Sequence, residues 1–317
     1  MKFLIIDSVH DILINKLKNF GIETIYIENL TYDKALEIVE NFDGIIIRSK
    51  FKLDETLLKK AKKLKCIVRI GSGMENIDVK VAQELNIACF NSPEGNRNAV
   101  AEHALGMLLS LLNNICKSYE EIKKGIWLRE ENRGTEIKGK TIGIIGYGNT
   151  GSEFCKKLVS FDCRILVYDK YKSGFGNSTI LETSLEHIQK EADIISFHVP
   201  LTKETYYYFD YTFINNCKKP FYLINTSRGS IVNTKALLNG LKEKKILGAA
   251  LDVLEFEDTS FEKISMNNVF SELLKLPNVI ITPHIAGWTN ESKIILAEVL
   301  ANKIIDYLND ARRKQNC

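Results

Sequence analysis

Proline is scarce in this chain, 5 among 317 residues, and 19 glycines are spread along it. That leaves no room for a long low-complexity linker or a collagen-like repeat. Charge of one sign is not in excess either: 43 Lys and Arg face 40 Asp and Glu, for a net charge of +3 and an isoelectric point near 8.3. The balance gives no electrostatic footprint for nucleic acid or for a membrane surface. The densest basic stretch, Lys59 to Lys65, reads as the solvated face of a helix. No apolar run is long enough to span a bilayer, because the longest, Leu105 to Cys116, is interrupted by Ser110, Asn113 and Asn114. The opening Met-Lys-Phe-Leu-Ile-Ile-Asp has too few apolar residues for a signal peptide. The 7 cysteines (66, 89, 116, 155, 163, 217 and 317) are odd in number, scattered, and form no C-x-x-C pair. The chain therefore reads as a reduced, cytoplasmic protein without a structural metal site.

What is present is ordinary for a globular protein, with 45% apolar and 26% charged residues in a length that fits two domains of roughly 150 residues. Short β-branched runs alternate with amphipathic stretches. Lys2–Asp7, Glu23–Ile27, Gly44–Ile47, Cys66–Ile70 and Ala88–Asn91 read as strands, and Asp11–Phe20, Tyr32–Asn41, Asp54–Leu64 and Val79–Leu85 as the helices between them. A long helical pattern follows from Asn98 to Lys124, ended by Gly125. A second series then supplies strands at Thr141–Ile145, Arg164–Tyr168, Ile194–His198, Tyr222–Asn225, Gly248–Leu251 and Val279–Thr282, and a last amphipathic helix runs from Glu291 to Leu308. Alternation of this kind predicts an α/β protein with two doubly wound parallel sheets and a cleft between the domains.

The segment Thr141-Ile-Gly-Ile-Ile-Gly-Tyr-Gly-Asn-Thr-Gly-Ser152 contains Gly146-x-Gly148-x-x-Gly151. An apolar strand precedes it, Ser152–Ser160 reads as a helix, and a second strand ends in Asp169, 18 residues after Gly151. Each part has a physical role in holding a dinucleotide. Gly146 permits the tight turn, Gly148 the approach of backbone to a pyrophosphate, and Gly151 close packing of helix on strand. The helix N-terminus offers unpaired N–H groups to phosphate. Asp169 would accept ribose hydroxyls and repel a 2′-phosphate, which favours NAD over NADP, although Lys170 and Lys172 place cations nearby.

Three later segments fall at strand ends, where open α/β sheets bind ligands: Ile224-Asn-Thr-Ser-Arg228-Gly-Ser, Ala249-Ala-Leu-Asp252-Val-Leu-Glu-Phe-Glu257 and Ile281-Thr-Pro-His284-Ile-Ala-Gly287. Oxidising an alcohol beside a carboxylate needs a base for the hydroxyl proton, a cation to hold the carboxylate, and a hydride acceptor. His284 suits the first role. Arg228 suits the second, because its fork binds a carboxylate bidentately. Glu257, beside the histidine, would stabilise its protonated form, and NAD takes the hydride. Among the five histidines at 10, 103, 187, 198 and 284, chemistry alone separates His284 from His198 only modestly.

Taken together, Gly146–Gly151, Asp169, Asn225-Thr-Ser-Arg-Gly229, Leu251-Asp-Val-x-x-x-Glu257 and Thr282-Pro-His-Ile-Ala-Gly287 resemble the D-isomer-specific 2-hydroxyacid dehydrogenases over nearly the whole chain. The resemblance implies Arg228 as the substrate-binding arginine, Glu257 as the partner acid and His284 as the general acid/base. It adds Arg69-Ile-Gly-Ser-Gly-Met-Glu-Asn-Ile-Asp78, with the amides of Ser72 and Gly73 on the substrate carboxylate. It places Asn149, Thr150, Val199, Thr226, Ser227, Asp252, His284 and Ala286 along the cofactor, with the glycines and Asp169. It implies a flavodoxin-like substrate domain of residues 1–96 and 289–317 and an inserted Rossmann NAD-binding domain of residues 97–288. It also implies a homodimer, with the helix near Asn98–Lys117 joining both domains and the partner. The apolar residues Leu105, Met107, Leu108, Leu109, Leu111 and Leu112 cannot all lie on one stripe, so a second surface is expected to cover part of that helix. Two departures stand out: Asp258 replaces the proline usual after the glutamate, and Thr259 to Ser271 carries a polar insertion.

Within the family, Asn91-Ser-Pro-Glu-Gly-Asn-Arg97 and the overall spacing look most like the short phosphoglycerate dehydrogenases of serine biosynthesis, and the chain ends soon after its last helix. The likeness implies oxidation of 3-phosphoglycerate to 3-phosphohydroxypyruvate, with Arg48 of Ile47-Arg-Ser-Lys50 on the phosphate. A glyoxylate or hydroxypyruvate reductase would share every catalytic residue. An NAD-sensing binding protein of the corepressor type is the reading from another class.

Overall fold

The computed structural model describes residues 1–258, 261 and 263–315. Two compact units divide it: Met1–Asn96 with Asp258 and the segment from Trp288 onward, and Arg97–Glu257 with Lys263–Gly287.

The first unit carries β1 (Lys2–Ile5), α1 (Asp11–Asn19), β2 (Glu23–Tyr26), α2 (Tyr32–Ile38), β3 (Gly44–Ile47), α3 (Glu55–Lys60), β4 (Cys66–Arg69), α4 (Val79–Glu84) and β5 (Ala88–Phe90). All strand pairs are parallel, in the order β2-β1-β3-β4-β5. That is the flavodoxin-like order, with its switch point between β1 and β3. Alternation along each strand sorts side chains to two cores. Leu4, Ile45, Ile47 and Ile67 face α2, α3 and α4. Phe3, Ile5, Ile46 and Val68 face α1 and the last helix of the chain, which brings Leu300, Ala301 and Ile304 to them. Burial on both faces is why these strands read as unbroken apolar runs.

The second unit opens with α5 (Arg97–Leu112) and α6 (Ile115–Lys123). It continues through β6 (Thr141–Ile145), α7 (Asn149–Leu158), β7 (Arg164–Tyr168), β8 (Ile180–Glu182), α8 (Leu185–Glu191), β9 (Ile194–Phe197) and α9 (Tyr211–Asn216). It closes with β10 (Phe221–Asn225), α10 (Thr234–Lys242), β11 (Ile246–Leu251), α11 (Asn268–Leu273) and β12 (Val279–Ile281), and α12 (Asn290–Gln315) then returns the chain to the first unit. Its parallel sheet runs β12-β11-β10-β9-β6-β7-β8, the Rossmann order extended by one strand, with the switch point between β6 and β9. Ile142, Ile144, Ile165 and Val167 point to the core shared with α5 and α7. Leu166, Ile195, Phe197 and Leu223 point to the core under α8, α9, α10 and α11.

Several boundaries differ from the sequence reading. The long helix from Asn98 breaks after Leu112, and α5 and α6 meet at a 61° bend around Asn114, whose φ is +52°. No single helix among the described residues is long and apolar enough to cross a membrane. Most of the apolar girth of α5 is covered within its own unit: Ala101, Ala104, Leu108 and Leu112 join the core beneath the sheet and α7, while Leu105 and Leu109 are half-buried. The uncovered apolar strip lies further on, at Ile115, Tyr119 and Ile122 of α6 and at Ile126, Trp127 and Leu128. The basic run from Lys59 leaves the helix at Lys60 and continues as a turn into β4. The polar insertion after Asp258 is not all loop: Asn267 caps α11, and Phe270 and Leu273 are buried. Thr259 and Ser260, at its start, lie outside the described residues.

Candidate active site

Gly146, at the end of β6, has φ +99°, and a Cβ there would lie 2.5 Å from the carbonyl oxygen of His198. A Cβ on Gly151 would lie 2.0 Å from the Gly146 oxygen. Helix and turn therefore approach to a distance only glycine allows. Gly148, the N-cap of α7, faces open space and brings no capping side chain, so the first N–H groups of α7, from Asn149 and Thr150 onward, are not capped by that residue. This is the cradle a pyrophosphate needs, and the residues fit a dinucleotide.

Asp169 follows β7. Its Oδ2 accepts the Tyr147 N–H at 2.7 Å, and its Oδ1 accepts Tyr171 N–H at 2.9 Å and Lys172 N–H at 3.0 Å. The carboxylate thus ties the glycine turn to the turn after β7. The two turns that it ties border a cleft of about 620 Å³ lined by Tyr147, Asn149, Lys172 and Phe175. Tyr147 stacks on Phe175 at 4.2 Å. Lys170 is paired with Glu204, whereas Lys172 Nζ donates to the Tyr147 carbonyl at the rim.

Just after β9, His198 is buried. Its Nε2 lies 2.8 Å from Ser196 Oγ and its ring packs 5.3 Å from Phe154. Burial pushes the ring down to about 3. It is therefore neutral and structural, a support under the glycine turn, with Val199 next to it on the rim. The unfolded chain takes up this proton near the usual histidine value and the native protein only near 3. Below about pH 6.5 the unfolded state binds more protons, and stability falls with pH by up to ~1.4 kcal/mol per unit. His198→Asn, which cannot titrate, is expected to flatten the fall of Tm on acidification. An unchanged slope in thermal melts would refute this.

The remaining site residues sit on the turns after β10, β11 and β12. Asn225 accepts Ser227 N–H and Oγ–H on Oδ1, and its Nδ2 donates to the Arg228 carbonyl. The turn that presents Arg228 is thus closed from within, and Arg228 Nη1 rests on the Ser227 carbonyl at 2.7 Å. Thr226 is buried, and its hydroxyl has no partner among the described residues. Asp252, 1% exposed, accepts Thr282 Oγ–H at 2.6 Å and the N–H groups of Ile285 and Ala286 at 2.8 Å each. Glu257 accepts the Leu254 N–H on Oε1 and places Oε2 2.6 Å from His284 Nδ1. Replacement of the usual proline by Asp258 leaves this pair intact. His284 has φ +55°, a left-handed backbone held by its N–H on the Asp252 carbonyl.

In the first unit, Arg48 follows β3 at the switch point. Asp7, which follows β1, accepts the N–H groups of Arg48, Ser49 and Lys50 on one oxygen, at 2.6, 3.2 and 3.4 Å. The Arg48 guanidinium lies 4.5 Å from the Trp288 ring centroid. Ser72 and Gly73 follow β4 in a half-exposed loop, where Ser72 Oγ meets Asn96 and the Ser72 carbonyl accepts from Asn91. The sequence reading missed Asp7 and Asn76, which supports Arg48 through its carbonyl. The position of Asp7 directly after β1, at the switch point, was the available signal. Among the described residues no group of His, Cys, Asp or Glu side chains is arranged to hold a metal ion.

Comparison with known proteins bears on this arrangement. The profile of the D-isomer specific 2-hydroxyacid dehydrogenase NAD-binding domain matches residues 105–286. A D-3-phosphoglycerate dehydrogenase of Archaeoglobus fulgidus is 32% identical over 96% of this chain, which spans 57% of that relative's length. A hydroxypyruvate reductase of Thermotoga maritima is 34% identical over 89% of this chain and 90% of its own. A D-lactate dehydrogenase of Aquifex aeolicus, solved with NAD and lactic acid, superposes with a TM-score of 0.83 at 28% identity, covering 98% of this chain and 96% of its own. The chain belongs to the D-isomer-specific 2-hydroxyacid dehydrogenase family, and residues 105–286 form its NAD-binding domain.

Proposed function

We propose that the protein interconverts a D-2-hydroxy acid and its 2-oxo acid with NAD, and that the substrate is 3-phosphoglycerate. The observation that carries the reading is the His284–Glu257 pair at 2.6 Å beside the Arg228 turn. Arg228 holds the substrate carboxylate and the hydroxyl oxygen on the carbon that is oxidised, with the amides of Ser72 and Gly73 on the carboxylate. His284 takes the hydroxyl proton on Nε2, while Glu257 at Nδ1 holds the ring in place and balances its new charge. NAD, when bound, accepts the hydride. Residues 1–96 and 289–317 serve the substrate and 97–288 the cofactor. Gly146, Gly148, Asn149, Thr150, Gly151, Asp169, Val199, Thr226, Ser227, Asp252, His284 and Ala286 line the cofactor. The reading places the enzyme in the cytoplasm, in serine biosynthesis.

Reduction of hydroxypyruvate or glyoxylate is the second reading. The Thermotoga maritima reductase favours it, since that relative matches this chain over 90% of its own length. Arg48 separates the two. A phosphate contact from an arginine contributes about 1.5–3 kcal/mol. Arg48→Ala is expected to lower kcat/KM for 3-phosphoglycerate about ten- to a hundredfold and to leave glycerate unchanged. The rates are measured with NAD and NADP, and Asp169 favours NAD. Equal losses for both substrates would make Arg48 structural, and a parent enzyme that prefers unphosphorylated acids would establish the reductase.

We further propose a homodimer built on the apolar strip of α6. Ile115, Tyr119 and Ile122 share one helical face and are 53%, 63% and 48% exposed, and Trp127 beyond them is 77% exposed. Ile122→Glu is expected to shift the mass in solution from dimer to monomer at micromolar concentration. A parent protein that is monomeric there contradicts the proposal.

A further inference from the structure

His103 has no part in the reaction as described, yet it is tied to the loop that carries the acid/base. It lies on α5, one turn in from Asn98, with its side chain 23% exposed. Its Nε2 is 3.0 Å from Thr282 Oγ1 and 3.5 Å from Asp252 Oδ1. Thr282 Oγ1 is in turn 2.6 Å from Asp252 Oδ1. A hydroxyl carries one hydrogen, and an ionised carboxylate only accepts. The Thr282 hydroxyl therefore donates to Asp252, so that the contact with His103 must be a donation from the ring. That places a proton on Nε2 whether the ring is neutral or charged.

The chain of donors ends on the His284 loop. Asp252 accepts Ile285 N–H on Oδ1 and Ala286 N–H on Oδ2, and its carbonyl accepts His284 N–H, each at 2.8 Å. One buried residue thus grips the backbone at three consecutive positions and holds His284 at φ +55°. A carboxylate with 1% exposure keeps its place only through its donors. Loss of the His103 donor leaves the Thr282 hydroxyl free to rotate toward Met107 Sδ, 3.8 Å away, and loosens Asp252.

We propose that His103 is a positioning residue for His284, acting through Thr282 and Asp252 to fix the backbone from which the imidazole meets Glu257. The inference rests on the proton-transfer reading of His284.

The test compares His103→Leu, which removes the donor, with His103→Gln, whose side-chain amide keeps one. In the full-length enzyme with NAD and 3-phosphoglycerate, His103→Leu is expected to lower kcat about tenfold while substrate KM moves less than about threefold. His103→Gln should recover most of the loss. Thr282→Val should match His103→Leu, and the double variant should be no worse than either single one, because both act through one path. A separate readout needs no turnover: the proton shared between His284 Nδ1 and Glu257, observed by NMR, should shift in His103→Leu and return in His103→Gln. Parent-like kcat and an unmoved proton signal in folded His103→Leu would overturn the proposal, as would failure of the glutamine variant to rescue either. A parent enzyme inactive on every 2-hydroxy acid tested would instead refute the functional reading, and the NMR comparison would still decide the role of His103.

Discussion

His284→Ala is expected to lower kcat by about 10²- to 10⁴-fold, the usual contribution of a positioned general acid/base. Binding of NADH, followed by fluorescence, should weaken far less than kcat falls, because the glycine turn and Asp169 are untouched. The size of the effect follows from the lack of a substitute. The histidine that chemistry alone barely separated from it, His198, is enclosed beneath the glycine turn, bonded to Ser196 and held neutral by burial. It has no route to a substrate proton. Glu257 sits beside the missing ring, but its Oε1 is engaged by the Leu254 N–H and its Oε2 is aimed at the ring position. Glu257→Gln should therefore cost less than His284→Ala, because the ring keeps a neighbour that can accept a hydrogen bond but loses the balancing charge. Single-turnover hydride transfer, monitored as NADH appears, isolates the step. A His284→Ala enzyme within threefold of the parent would remove His284 from the chemistry.

The parts of this molecule that were legible in its sequence share one physical property: they are buried on both faces or bound by backbone necessity. Thr141–Ile145 and Arg164–Tyr168 were read to the residue because central parallel strands are apolar throughout and end at glycine or charge. Gly146 and Gly151 were legible because no other residue fits their contacts. The edge strand Ile180–Glu182 was missed, since only its first residue is buried and three residues carry no period. The bend at Asn114 was missed because the apolar repeat continues across it without glycine or proline, and periodicity reports a face, not a direction. The girth of α5 needs cover on more than one side, and the sequence held no sign that α7 and the sheet supply most of it within the same unit. At the site, Glu257 and His284 are 27 residues apart; chemistry suggested an acid beside a histidine, and the motif set singled out these two. His103 and Thr282, separated by 179 residues, had no local pattern to connect them.

Gly229→Ala is the smallest substitution from which a large loss is expected. Gly229 follows Arg228, and a Cβ built on it would lie 2.0 Å from the carbonyl carbon of Leu254 and 2.1 Å from its oxygen. Those atoms are backbone, so no side-chain rotation relieves the clash. One turn has to move, and each carries a residue to which the proposed reaction gives a role. The turn after β10 presents Arg228 and is closed by Asn225 on the Arg228 carbonyl. The turn after β11 presents Glu257, whose Oε1 is held by the N–H of the same Leu254. Overpacking of this kind costs typically 1–3 kcal/mol of stability, which corresponds to a fall in Tm of several degrees. The effect on rate is larger, because a displacement near 1 Å at either the arginine or the acid misplaces the substrate relative to His284. Such a shift is worth about a hundredfold. The expected result is therefore a folded protein with a lowered Tm and kcat/KM reduced by about two orders of magnitude, while NADH binding at the β6 turn is retained. Gly148→Ala makes the opposite case: nothing among the described residues lies within 4 Å of its Cβ, so Tm should hold while NADH binding weakens. If Gly229→Ala keeps full activity, the two turns are not coupled through this contact, and the placement of Arg228 relative to Glu257 must depend on something other than their backbone packing.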